Sequence, residues 1–129
     1  MVLLDTHALL WWALDPEQLS PKASKAILAM EKTGGLASSI SIWELGVNVQ
    51  RGKLQLPLSV DKLAHRIEAH SVVELVPVDS DTWLRSLSLA WDHRDPADRV
   101  IVATALIHRV PVITKDDVIQ SFAGVRTIW

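Results

Sequence analysis

Four short, mostly apolar runs each stop abruptly, and a polar or acidic junction follows before a helical pattern begins. They are VLL at 2–4, LASS at 36–39, VVELVPV at 72–78 and VPVIT at 110–114. Runs this brief, without strict alternation, read as strands covered on both faces. Between them lie one or two helical patterns, enough chain for crossovers between parallel strands. Right-handed crossovers put helices on both sides of such a sheet. The expected fold is therefore a three-layer α/β/α sandwich with a mainly parallel central sheet. At 129 residues, one domain spanning 1–129 is expected.

Local signals place the helices. Ser20 and Pro21 suit a helix start, and Gly34–Gly35 a stop. The stretch SIWELGVNVQRG reads as a helix ending at Gly52, and Ser59 as the cap of a helix carrying Leu63 and Ile67. Pro77 favours a strand end or an edge. A helix is expected over 80–91, a loop through DHRDP, a helix from Pro96 and a last edge strand in VRTIW. The absence of cysteine removes disulfides and thiolate metal sites and is compatible with a reducing compartment. No signal peptide or membrane-length apolar segment is visible, so a cytoplasmic location is expected. A net charge of −2 argues against a generally basic nucleic-acid-binding face.

In open α/β sheets, ligands bind beyond the carboxyl ends of the strands. Asp5 follows VLL, and Glu44 lies on the helix after LASS. Asp98 is near the start of the helix after HRDP, and Asp116 stands just past VPVIT. All four lie at or just after one type of junction, so the topology can bring them together. Each also has a local use. Asp5 can cap the following helix, and Ser41-x-x-Glu44 has the spacing of a capping box. Asp95-Pro96-Ala97-Asp98 is a good helix start with Asp95 as cap, and Asp116–Asp117 suits a turn. Local uses do not explain the recurrence at successive junctions. Two carboxylates about 4 Å apart repel by about 4 kcal/mol at an effective dielectric of roughly 20. Four together would take up protons or bind a cation. Oxygen-only donors suit Mg²⁺ or Mn²⁺ better than Zn²⁺, and such ions suit phosphodiester cleavage.

The stretches LLDTHALLWW, SSISIWELG, DPADRVIVATAL and VITKDD resemble, in order and spacing, the four acidic motifs of PIN domains, over essentially the whole chain. LLDTHALLWW together with HRDPADRVIVATA is similar to the VapC-type toxins of bacterial toxin–antitoxin pairs. The resemblance implies a metal-dependent endoribonuclease whose acids hold Mg²⁺ or Mn²⁺ and activate water for attack on RNA phosphorus. Asp5, Glu44, Asp98 and Asp116 match the four acids as catalytic and metal-binding residues. Asp98 begins the family's D-x-x-I/V-x-A-x-A helix, whereas Asp95 fits its cap, and Asp116 is preferred to Asp117. Asp5 and Asp98 would be the main ligands, with Glu44 and Asp116 acting through water. Thr6 and Thr114 would support the cluster with their hydroxyls. Family behaviour implies products with a 5′-phosphate and a 3′-hydroxyl. It also implies a cognate antitoxin partner and a homodimer, sometimes assembled further with antitoxin, with DNA binding left to the antitoxin.

RNA needs cations to meet its phosphates, and Arg94, Arg99, Lys115, Arg51 and Lys53 are candidates. His7 and His93 lie beside motif positions as hydrogen-bonding groups. Trp11, Trp12 and Trp43 flank the first two motifs and suit either packing under the site or a groove for an antitoxin peptide. Two non-catalytic readings compete. A phosphoacceptor module typically pairs acids at the first strand end, where this chain has Asp5 followed by Thr6 and His7. A PIN-like module limited to assembly or RNA binding would not need all four acids. No P-loop pattern occurs.

Overall fold

The computed structural model describes residues 1–129. Strand β1 (Val2–Leu4) occupies the centre of a five-stranded sheet. It is flanked by β2 (Gly35–Ser38) and by a strand we call β4 (Val112–Ile113). The edges are β3 (Val73–Val76) beside β2 and β5 (Thr127–Ile128) beside β4, giving the order β3-β2-β1-β4-β5. Every pairing is parallel, with Leu4 opposite both Ala37 and Ile113.

The two-residue period of a strand divides the core. Leu4, Ala37 and Ile113 belong to a twelve-residue cluster on one face. Leu3, Leu36 and Val112 belong to an eight-residue cluster on the other. The first face is covered from α1 (Thr6–Leu14), α2 (Pro21–Thr33), α3 (Ile40–Gln50) and α4 (Val60–Ala69), through Leu9, Met30, Leu45 and Leu63. The second is covered chiefly by the helix Pro96–His108, which contributes Val100, Ile101 and Ala105 and packs against α5 (Ser80–Leu87). We call Pro96–His108 α6. These sheet-facing leucines are fully buried, and truncating one to alanine would cost about 2–5 kcal/mol.

Caps set the helix starts. Ser20 Oγ accepts from the Ala23 N–H at 3.1 Å with Pro21 in the first turn, and Ser59 Oγ accepts from the Lys62 N–H at 3.2 Å. Helix α2 stops at Gly34, whose φ of 86° lies where a side chain is strained. The next residue, Gly35, has no room for a Cβ against the Met30 side chain.

Three sequence expectations need correction. Ser41 does not cap α3: the cap position is Ser39, without a side-chain bond, and Ser41 lies inside the helix, fully buried. Helix α5 ends at Leu87 rather than Trp91, because the following carbonyls turn away to another partner described below. A four-residue helix, α7 (Asp117–Gln120), occupies a stretch expected to be a turn. No helix is long and apolar enough to cross a membrane.

Candidate metal centre

Asp5 is the first residue beyond β1, where the central strand delivers it to the carboxyl end of the sheet. It does cap α1, since its Oδ1 accepts from the Ala8 N–H at 2.9 Å. Its Oδ2 accepts from the Thr114 hydroxyl at 2.5 Å. Thr114 follows β4, is fully buried, and its Oγ also accepts from the Asp116 N–H at 3.0 Å. One hydroxyl therefore ties the first acid to the backbone of the last. Burial pushes the Asp5 carboxyl up from its usual range and the Asp116 charge adds to this; the Thr114 and Ala8 hydrogen bonds and His7 oppose it.

A second group of acids lies at the start of α6. Carboxylate oxygens of Glu44, Asp95 and Asp98 all fall within 4.8 Å of one another. Asp95 caps α6, its Oδ1 accepting from the Asp98 N–H at 3.1 Å. Asp98 Oδ2 hydrogen-bonds His93 Nε2 at 2.7 Å. Burial, together with the charges of Asp95, Asp116 and Glu44, pushes the Asp98 carboxyl up to about 6 against the pull of that hydrogen bond. Asp116 caps α7 through Oδ1 and the Val118 N–H at 2.8 Å. Its charge acts on both Asp5 and Asp98, so it lies between the two groups electrostatically. The neighbouring Asp117 is exposed in the first turn of α7.

The donor set is chemically uniform. These acids offer only hard oxygen atoms, and the sole ion-pair contact in the molecule is His93 with Asp98, so no Lys or Arg neutralises the group. Such a set fits a hard divalent cation.

The PIN-domain family model matches residues 2–125. The chain belongs to the PIN-domain family. Within it, the domain is VapC-like, being 34% identical to Ribonuclease VapC22 of Mycobacterium tuberculosis over 99% of this chain and 98% of that protein. The PIN fold recurs in the VapC20 toxin of Mycobacterium tuberculosis, described as cleaving the sarcin–ricin loop, at a TM-score of 0.65 and 18% identity over 98% of this chain and 99% of that one. VapBC2 of Rickettsia felis, solved with a promoter DNA fragment, gives a TM-score of 0.68 at 13% identity, covering 98% and 97%. A toxin–antitoxin complex from Klebsiella pneumoniae gives 0.64 at 23% identity, covering 97% and 95%.

Several residues of this PIN domain play parts that the sequence does not reveal. Arg99 reads in sequence as a candidate RNA contact, but its guanidinium is fully engaged within the protein. Nε and Nη2 donate to the Ser86 carbonyl at 3.1 and 2.7 Å, and Nη2 also to Leu89 at 3.2 Å. Nη1 donates to the carbonyls of Trp91 and His93 at 2.6 and 2.9 Å. This clamp replaces the last helical turn expected of α5 and fixes the segment that carries His93 to Asp98. The Thr6 hydroxyl pairs with Ser41 Oγ at 2.9 Å and touches no acid. That pairing locks α1 to α3, and hence Asp5 to the helix of Glu44. Asp95, given only a capping role from sequence, caps and joins the acidic group at once. Spacing could have flagged it, since a cap's second oxygen is free.

Proposed function

We propose that this PIN domain is a Mg²⁺- or Mn²⁺-dependent endoribonuclease, the toxin of a toxin–antitoxin pair, hydrolysing RNA phosphodiester bonds. The reading is supported chiefly by the three carboxylates of Glu44, Asp95 and Asp98, whose oxygens lie within 4.8 Å of one another with no basic side chain but His93 paired to them, and by the charge of Asp116, which acts on both Asp98 and Asp5. The 34% identity to a named ribonuclease across nearly the whole chain supports it.

Asp5 and Asp98 are assigned as principal ligands, with Glu44 and Asp116 acting through water and Asp95 adding charge. When bound, a divalent cation in such a site lowers the pKa of water and neutralises a phosphate oxygen. The chain's own residues do the rest. Thr114 holds Asp5 in one rotamer, and His93 orients Asp98. The Asp95 and Asp98 charges at the positive end of α6 are favoured by the helix dipole. An antitoxin partner is part of this proposal, supported by the similar fold solved as a toxin–antitoxin complex, and so is a homodimer, which the family resemblance implies. Trp43, 58% exposed beside Glu44, and Trp83 line a cleft of about 460 Å³ that suits an apolar antitoxin segment. A cytoplasmic site of action follows from the RNA substrate.

The test is direct. Purified protein should cleave RNA with Mg²⁺ or Mn²⁺ and stop in excess chelator. Asp5→Asn and Asp98→Asn should each lower the rate at least about a hundredfold while keeping the far-ultraviolet spectrum of the folded chain. Undiminished cleavage by both variants would remove the reaction from this site.

A further inference from the structure

A cleft lined by cations lies along the β5 edge of the sheet. It has a volume of about 470 Å³ and opens between α2 and β5. Its lining includes Lys22, Lys25, Arg126 and Trp129 and contains no Asp or Glu, in a chain with 15 acidic residues against 13 Lys and Arg. The three cations are exposed, and none has a carboxylate within 4.0 Å. Positive charge therefore goes unopposed within this cleft, in a chain whose net charge is −2, and makes a local attractive field.

The sheet register connects this cleft to the acids. Ile113 is opposite both Leu4 and Ile128, so Asp5, Thr114 and Trp129 leave three adjacent strands at one level. The Thr114 N–H donates to the Ile128 carbonyl at 3.2 Å, and the Asp5 N–H to the Ile113 carbonyl at 3.2 Å. Two strand spacings, about 10 Å, separate the first acid from the cleft. Aromatic rings bridge that interval. His7 and Trp11 have ring centroids 5.6 Å apart, and Trp11 and Trp129 5.7 Å apart. Lys115, the residue between Thr114 and Asp116, places its Nζ 5.8 Å from the centre of the Trp11 ring.

A cationic lining beside a run of aromatic faces is the arrangement that binds single strands: cations meet phosphates while bases stack on rings in a sequence-tolerant way. An acidic peptide would use the cations and leave the aromatic run toward the acids without a purpose. We propose that the β5-edge cleft, with Lys22, Lys25, Arg126 and Trp129, is a subsite for single-stranded RNA flanking the cleaved phosphodiester. It rests on the ribonuclease reading. The acids repel RNA wherever no cation covers them, so the strand is held from this side.

The experiment is fluorescence anisotropy with a labelled single-stranded RNA of about 12 nucleotides, titrated in chelator so that the strand stays whole. Replacing Lys22, Lys25 and Arg126 together by alanine should weaken binding at low salt at least about tenfold. It should also flatten the slope of log affinity against log salt by about 2, at roughly 0.7 for each phosphate left without its cation. Trp129→Leu should weaken binding about fivefold or more with the slope unchanged. Removing Lys62, Arg66 and Arg85, which line no part of the cleft, should leave the slope as it is. In cleavage assays with metal, the triple variant should raise KM much more than it lowers kcat.

A wild-type protein that cleaves RNA, with a folded triple variant of unchanged affinity and slope, would overturn the subsite and leave the nuclease standing. A wild type that neither binds nor cleaves RNA would overturn both. Loss of binding to an acidic peptide, with RNA affinity intact, would give the cleft to a protein partner and overturn the proposal too.

Discussion

Asp98 carries opposing demands. Its carboxyl is held beside Glu44 and Asp95 and has a pKa of about 6, whereas in the unfolded chain it ionises near 3.8. Between those values the folded protein holds the extra proton, so metal-free stability falls as pH rises through that window and stays reduced above it. Metal-free Asp98→Asn should therefore melt a few degrees above the wild type at pH 7.5. The difference should fade as pH is lowered toward 4, as thermal denaturation across pH would show. The same proton competes with a cation. Mn²⁺ affinity measured by calorimetry should drop as pH falls below about 6, approaching tenfold per unit if one proton is displaced. Sequence spacing singles out Asp5, Glu44 and Asp116 because each comes soon after a strand, whereas Asp98 opens α6 after the loop beyond α5 and is singled out by its motif alone. Spacing reads Asp95 first as a cap, which is already a full local account, and its place in the group shows only through the oxygen that a cap leaves free. Thr114 and Thr6 look alike from sequence, yet one bonds an acid and the other a serine. Side-chain direction at a junction is a tertiary fact, invisible to spacing.

Among the elements, the boundary between α5 and α6 departs most from what periodicity predicts. The amphipathic letters SLSLAW continue a helix on paper, but Arg99 draws the carbonyls of Ser86, Leu89, Trp91 and His93 to one guanidinium. A planar fork with five N–H donors can gather several acceptors, which a lysine ammonium cannot match. Arg99→Ala should cost about 2–4 kcal/mol in urea denaturation, since several part-buried carbonyls lose their donor. Arg99→Lys should recover less than half of that. An equal, small loss in both variants would show that water replaces the clamp. Helix α7 escapes sequence reading because four residues are too few to show a period. The long helices are legible from their caps and apolar faces, and the strands from their apolar runs.

For the molecule as a whole, the parallel order β3-β2-β1-β4-β5 brings Asp5 beside Thr114 and the start of the Asp116 turn by placing the first strand between partners distant in sequence. Because the repelling carboxylates sit on rigid strand and helix ends, a cation that relieves them should stabilise the entire fold. Saturating Mn²⁺, at about 100 times its Kd, would add about 2.7 kcal/mol. The melting midpoint should rise by several degrees and return to its starting value with chelator; Asp98→Asn should show little rise. The parallel class and its layers are readable from the alternation of runs and helices. The strand order is not, since nothing local says which strands become neighbours.

That order also sets a timetable. The bond from Thr114 to Asp5 joins residues 109 positions apart, and Asp116 arrives with the same segment. Synthesis therefore delivers Asp5 first and its hydroxyl partner 109 residues later, so this end of the sheet is assembled only once the stretch beyond Pro111 has emerged.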